Sequence, residues 1–107
     1  SQCGGISDSR RIAALAETYS IAVACHNPQG AVSTAASLHV GFATPNYLIQ
    51  EVVRKDVPWR NDVVNEPVGM MGGLAHPQAR PGIGIEINEG EAAQIPLSAG
   101  SPHALFP

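Results

Sequence analysis

Two ionisable side chains follow directly on short apolar runs of the sequence. His26 comes after the run at residues 21–25, and Glu51 comes after the run at residues 47–50. If both runs are parallel strands, their carboxyl ends meet at one edge of a sheet, where reactive groups collect in parallel α/β architectures. A histidine there is suited to proton transfer near neutral pH, and a carboxylate beside it can bind a substrate or tune the imidazole. The alternative, from position alone, is that His26 ends a strand and Glu51 is a solvated loop acid.

The other candidates for chemistry are weaker. His39 lies within a predicted helix and is interpreted as a packing residue, whereas His76 and His103 are expected to be solvated. The His, Cys, Asp and Glu residues match no metal-ligand spacing. Gly82 and Gly84 lack the third glycine and the helix of a dinucleotide fingerprint. No nucleophile elbow surrounds a serine.

The two cysteines, Cys3 and Cys25, form no disulfide framework, and their spacing matches no zinc or redox motif. We interpret both as structural thiols, and thiols without disulfide pairing are typical of a reducing compartment. The expected location is therefore the cytoplasm.

Composition limits the classes of partner. The 107 residues are 44% hydrophobic with a mean hydropathy of +0.01, which is typical of a globular chain. Only 14% are charged, against about 25% in an average protein, so much of the surface is expected to be covered by a partner chain or by the rest of its own fold. The net charge of −3 and the scattered basic residues argue against nucleic acid. No apolar run approaches the length of a membrane span.

The elements that must position His26 and Glu51 follow from local patterns. A helix is predicted to begin at residues 7–9, a buried strand at 21–25, a second helix at 32–43 and a second strand at 47–50. This alternation indicates an α/β fold with a parallel sheet, the second strand lying beside the first. Residues 66–87 offer at best irregular strands, and residues 95–107 are expected to be extended or disordered. Since a complete barrel takes about 250 residues, part of a larger fold is favoured over a complete small domain.

Several short motifs, taken in order, resemble those of the enolase superfamily. They are CGGIS (3–7), RIAALAE (11–17), HNPQG (26–30), STAA (33–36), PN (45–46), IQE (49–51), VPWR (57–60) and PGIGIE (81–86). The sequence is similar, more narrowly, to the mandelate racemase/muconate lactonizing enzyme branch and to its galactonate-dehydratase-like sugar-acid dehydratases. The resemblance covers about residues 1–90. Cys25 and Ala31 depart from it, because related sequences often carry prolines there.

The resemblance implies a modified (β/α) TIM-type barrel with a capping domain, of which this chain would be the C-terminal part. Residues 1–51 would supply the last βα units, with 21–25 as the seventh strand and 47–50 as the eighth. Residues 52–94 would return to pack on the capping domain, and 95–107 would form the tail. Alone, the chain is expected to be poorly stable and catalytically inactive.

The resemblance also implies roles for both candidate residues. His26 would remove the proton α to a substrate carboxylate, and Glu51 would hydrogen-bond that carboxylate as it becomes an enediolate. Mg²⁺ would be held by carboxylates of earlier strands, outside this chain. The general acid would also lie on one of those strands. The predicted activity is a sugar-acid (aldonate) dehydratase that forms a 2-keto-3-deoxy acid from a small-molecule substrate and works as a homo-oligomer. The alternatives are a racemase or cycloisomerase of the same superfamily, and a non-catalytic scaffold fragment.

Overall fold

The computed structural model describes residues 2–53 and 56–95. Its elements in chain order are the helices α1 (Ile6–Thr18) and α2 (Ala31–Phe42), the strands β1 (Met70–Met71) and β2 (Leu74–Ala75), and the short helix α3 (Glu89–Ala92). None of the helices in these ranges is long and apolar enough to cross a membrane. The predicted tail lies outside the described residues from position 96 onward.

Helix α1 confirms the first predicted helix, but its apolar side is not covered. It begins after Gly4 and Gly5, whose φ angles of 95° and 91° suit glycine. Ala13 is its buried residue, whereas Leu15 is 64% exposed. The apolar face predicted from residues 12, 15, 16 and 19 is therefore largely exposed. The physical reason is that α2 is the helix that packs against α1 in the described chain, and it contacts the side bearing Ala13.

Helix α2 carries most of the small core. Its buried side chains are Thr34, Ala35, Leu38 and Val40, and its bounds agree with the predicted 32–43 within a residue at each end. The predicted packing role of His39 agrees with its contact, since Nε2 lies 3.1 Å from the carbonyl oxygen of Gly82 in the return segment, which we define as residues 56–95.

The two apolar runs lie side by side and parallel, as predicted. Val23 pairs with Tyr47 in an isolated parallel bridge. The Val23 N–H donates to Asn46 at 2.9 Å, and the Leu48 N–H donates to the Val23 carbonyl at 2.8 Å. The predicted continuous strands are reduced to this one bridge in the described chain. Leu48, at 72% exposed, shows how open the second run is.

The return segment is more regular than predicted. Strands β1 and β2 form an antiparallel hairpin around Gly72 and Gly73, whose φ angles of 59° and 80° suit a tight turn. Val64 forms an antiparallel bridge with Ile87. Helix α3 follows directly, with the side chain of Asn88 accepting a hydrogen bond from the N–H of Glu91.

Candidate active site

The structure brings the two candidate residues into contact. Nδ1 of His26 lies 2.7 Å from Oε2 of Glu51. Each residue follows one of the two runs joined by the parallel bridge, so the strand ends place both side chains at the same rim. The side chains are 73% and 45% exposed, respectively. The pair therefore lies at an open edge that a small molecule can reach.

The Glu51 carboxylate accepts a second hydrogen bond. The backbone N–H of Asn27 donates to the same Oε2 at 2.8 Å. This N–H, first, and the His26 side chain, second, hold the pKa of Glu51 below its ordinary value, because both contacts favour the charged carboxylate. Glu51 is consequently an anionic acceptor near neutral pH.

The contact assigns different tasks to the two imidazole nitrogens of His26. In the tautomer whose hydrogen is on Nδ1, that nitrogen donates to the Glu51 carboxylate. Nε2 then carries the lone pair and can accept a proton from a substrate. An anion at Nδ1 also stabilises the imidazolium that proton transfer would create. The arrangement is that of a general base oriented by a carboxylate.

Asn27 is a site residue that the sequence interpretation missed. It belongs to the HNPQG motif at residues 26–30, and it is fully buried. Nδ2 donates to Oγ1 of Thr34 at 2.9 Å and to the backbone carbonyl of Glu51 at 3.1 Å. Asparagine before proline is a signal for a turn, but no sequence pattern indicates that the side chain turns inward.

Arg60 in the return segment also contacts the loop at residues 26–30. Nη1 of Arg60 donates to the carbonyl oxygen of Gln29 at 2.6 Å. The same guanidinium pairs with both carboxylate oxygens of Asp56. Hydrogen bonding by Arg60 is the main reason that the pKa of Asp56 is lowered to about 2. The loop that carries His26 thus contacts the partly exposed Arg60 on one side and Glu51 on the other.

Within the described part of the chain, the cysteines and the other histidines form no hydrogen bond with this pair that the structure shows. Cys3 and Cys25 are free thiols that line, with His26, a cavity of about 700 Å³. Cys3 is exposed, with Sγ 3.1 Å from Oγ of Ser9, and this hydrogen bond lowers the pKa of its thiol. His76 is exposed, as predicted, and His103 lies outside the described residues.

The described residues do not form a metal site. Within residues 2–53 and 56–95, no group of three or more His, Cys, Asp or Glu side chains is placed to hold a metal ion. The donor set at the rim consists of one imidazole and one carboxylate that contact each other. The described residues therefore offer no complete set of ligands for a magnesium ion.

Comparisons with known proteins identify the family of the chain. The family described as "Enolase C-terminal domain-like" matches residues 1–92. A D-galactonate dehydratase family member from Streptomyces bingchenggensis (strain BCW-1) is 44% identical over 95 residues, which cover 87% of this chain and 23% of that protein.

Solved structures of the same superfamily share the fold. An enolase from Pantoea ananatis, solved with bound D-gluconate and Mg, is 30% identical with a TM-score of 0.82, covering 91% of this chain and 24% of that one. A mandelate racemase/muconate lactonizing enzyme-like protein from Rubrobacter xylanophilus DSM 9941 is 35% identical with a TM-score of 0.81, covering 94% and 26%.

The chain thus spans about a quarter of the length of the relatives it matches. The matches confirm the resemblance inferred from the motifs and the α/β fold class expected from it. The matched region is the part of the chain that, in the fold implied by the resemblance, carries the last barrel strands. The chain belongs to the enolase superfamily and has its enolase C-terminal domain-like fold.

Proposed function

We propose that this chain supplies the base-bearing part of a Mg²⁺-dependent sugar-acid dehydratase. His26 removes the proton α to the substrate carboxylate, the β-hydroxyl leaves as water, and the enol product becomes a 2-keto-3-deoxy acid. The observation that carries the proposal is the contact between His26 and Glu51 at the ends of two parallel runs. The 44% identity to a D-galactonate dehydratase family member supports the reaction class.

The role of His26 follows from its exposure and its hydrogen bond. The side chain is open to solvent, and its Nδ1 is occupied by Glu51, so Nε2 is the nitrogen directed to substrate chemistry. A positioned general base of this kind contributes about 10²–10⁴-fold to a rate. Removing the imidazole should therefore stop proton abstraction while leaving the fold in place.

Glu51 supports a role different from the one that the resemblance implies. A glutamate that hydrogen-bonds a substrate carboxylate must carry a proton to donate. The pKa of Glu51 is instead held below its ordinary value by the Asn27 N–H and by His26, so the side chain is an acceptor. We therefore add a second role for Glu51, orienting the imidazole and stabilising its charged form, as the carboxylate does in other histidine-carboxylate pairs. Hydrogen bonding of the substrate carboxylate, the role that the resemblance implies, requires a protonated Glu51.

The metal and the general acid belong to the part of the enzyme that this chain does not contain. The Pantoea ananatis relative binds D-gluconate and Mg, and a bound Mg²⁺ supplies positive charge where an enediolate develops. The described residues hold no set of ligands for it. His26, with Glu51 as its partner, acts on the proton at the substrate's α-carbon. Without the metal and the general acid, the chain alone is expected to be inactive.

The test uses the complete polypeptide that carries residues 1–107, assayed with Mg²⁺ against a panel of aldonates that includes D-galactonate and D-gluconate. The 2-keto acid product is followed as its semicarbazone. We expect the parent enzyme to turn over at least one aldonate. We expect the His26→Asn variant to lose this turnover. Formation of the C2 epimer without keto acid would contradict dehydration in favour of a racemase. Failure of every acid to react or to exchange its α-proton would favour a non-catalytic scaffold.

A further inference from the structure

Asn27 is a fully buried polar side chain next to an exposed catalytic candidate. It is among the largest completely buried side chains of the described residues, together with Val40. Burying an amide is costly unless its donors and acceptors find partners. A polar residue is therefore expected at this position only if its hydrogen bonds contribute something that an apolar residue could not.

The hydrogen bonds of Asn27 converge on Glu51 at two points. Its backbone N–H donates to the carboxylate at 2.8 Å, and its side-chain Nδ2 donates to the backbone carbonyl at 3.1 Å. The first contact directs the carboxylate, and the second fixes the segment from which it projects. Since a backbone carbonyl can only accept, the amide must present its nitrogen to Glu51, which leaves Oδ1 buried without a partner among the described residues.

The second Nδ2 hydrogen bond connects the Asn27 side chain to helix α2 and does not involve Glu51. Oγ1 of Thr34 accepts from Asn27 at 2.9 Å and donates to the carbonyl of Gly30 at 3.2 Å. Thr34 is buried in the first turn of the helix. The side chain of Asn27 therefore joins the end of one run, the start of α2 and the end of the other run.

The remaining contact on the Glu51 carbonyl cannot replace this link. Gln50 donates to it from Nε2 at 2.7 Å, but Gln50 belongs to the same segment as Glu51. Without the Asn27 side chain, the loop that carries His26 would keep its contacts with the Glu51 carboxylate but lose its hydrogen bond to the Glu51 backbone. The 2.7 Å contact between His26 and Glu51 depends on the relative position of those two segments.

We propose that Asn27 is a positioning residue that fixes Glu51 against His26 by joining the ends of the two parallel runs. The expected loss of kcat rests on the proposed function. The expected displacement of Glu51 rests on the hydrogen bonds alone. A displacement of about 1 Å in a catalytic group can cost about 100-fold in rate.

The experiment compares Asn27→Ala with Thr34→Val in the complete polypeptide. Both variants break the hydrogen bond between Asn27 and α2, but only Asn27→Ala removes the side-chain link to Glu51. We expect Asn27→Ala to lower kcat by about 100-fold, with Thr34→Val losing thermal stability and keeping kcat. Asn27→Ser, whose hydroxyl is too short to span Thr34 and Glu51, is the substitute if the alanine variant does not fold.

A second readout is independent of turnover. The ¹³C resonance of the Glu51 carboxylate is titrated in the parent and in each variant. The groups that face this carboxylate are His26 and the Asn27 N–H, while α2 presents the uncharged Thr34 and the charged pair Arg60 and Asp56 contacts the loop at Gln29. Loss of positioning weakens the N–H contact, so the midpoint should rise in Asn27→Ala and stay at the parental value in Thr34→Val.

The outcomes separate the two proposals. A risen midpoint with lowered kcat in Asn27→Ala alone supports positioning. Equal losses of kcat in both variants, or an unmoved midpoint in Asn27→Ala, would overturn it and leave Asn27 a stabilising residue only. An inactive parent would overturn the proposed function, and the titration would still decide the role of Asn27.

Discussion

His26 and Glu51 are separated by twenty-five positions in the sequence, yet Nδ1 of the first lies 2.7 Å from Oε2 of the second. The contact exists because the runs that precede them lie parallel and in register through Val23 and Tyr47. It gives Nε2 of the imidazole a defined task and makes Glu51 an acceptor.

Substituting Glu51 distinguishes its two proposed roles. Glu51→Gln keeps the size of the side chain and supplies an N–H donor that could bind a substrate carboxylate, but it removes the negative charge at Nδ1 of His26. If Glu51 orients the imidazole, kcat should fall by about 100-fold or more. Glu51→Asp, which keeps the charge on a shorter side chain, should lose less. Steady-state kinetics on the complete polypeptide decide this, and near-parental kcat in Glu51→Gln would favour the substrate-binding role.

Gly41 should tolerate no side chain. A Cβ atom there would lie 2.8 Å from Cε1 of Tyr47, the residue that forms the parallel bridge. Alanine is favoured over glycine in a helix by about 1 kcal/mol, but overpacking costs about 1–3 kcal/mol, so Gly41→Ala should lower the free energy of unfolding by up to about 2 kcal/mol. Gly90→Ala in α3 is the control, since its Cβ would make only ordinary contact with Asn88. Urea unfolding of the complete polypeptide measures both, and a stabilised Gly41→Ala would contradict the packing.

The pair formed by Asp56 and Arg60 should make stability depend on acid pH. The pKa of Asp56 is lowered to about 2, from an ordinary value of 3.8. A lowered pKa stabilises the folded state fully above the ordinary value, and this stabilisation is lost as the pH falls from about 4 toward about 2. Asp56→Asn should therefore flatten the dependence of the unfolding free energy on pH in this window. Urea unfolding of the complete polypeptide across the window tests it. Unchanged slopes in Asp56→Asn would show that the pair does not form.

The isolated 107-residue chain should associate. Its exposed apolar side chains include Ile12, Leu15 and Tyr19 on α1 and Leu48 and Ile49 in the second run. Exposed apolar surface of this extent is unfavourable in water and favours self-association. Light scattering after size exclusion should show oligomers, reduced by Leu15→Glu and unaffected by Ala14→Glu on the same helix. Cooperative unfolding of a clean monomer would contradict this prediction.

Local patterns in the sequence were sufficient to predict the two long helices and the parallel pairing of the two runs. Periodicity predicts α1 and α2, and the alternation of helices and apolar runs predicts that the runs are parallel, which brings His26 and Glu51 to one rim. The sequence was less informative about how far the strands extend. A strand extends as far as its backbone pairs with a neighbour, and between these two runs the described chain forms one bridge, at Val23 and Tyr47.

The rest of the site depends on contacts between distant segments. Nothing near Asn27 in the sequence indicates that its amide is buried against Thr34 and Glu51. The same holds for Arg60, whose partner Gln29 lies thirty-one positions away. The hairpin at β1 and β2 could have been predicted from the pair Gly72 and Gly73, a known turn signal, but the runs on either side are only two residues long.

The most direct test of the proposed activity is exchange of the proton at C2 of the substrate. The complete polypeptide is incubated with Mg²⁺ and an aldonate in D₂O, and deuterium at C2 is measured by NMR in the remaining acid, alongside its conversion to keto acid. The parent should exchange or convert the acid, and His26→Asn should do neither above background, a loss of about 10²–10⁴-fold or more. Thr34→Val controls for stability. A His26→Asn variant that processes the acid at the parental rate would remove His26 from the mechanism and contradict the proposed dehydratase site.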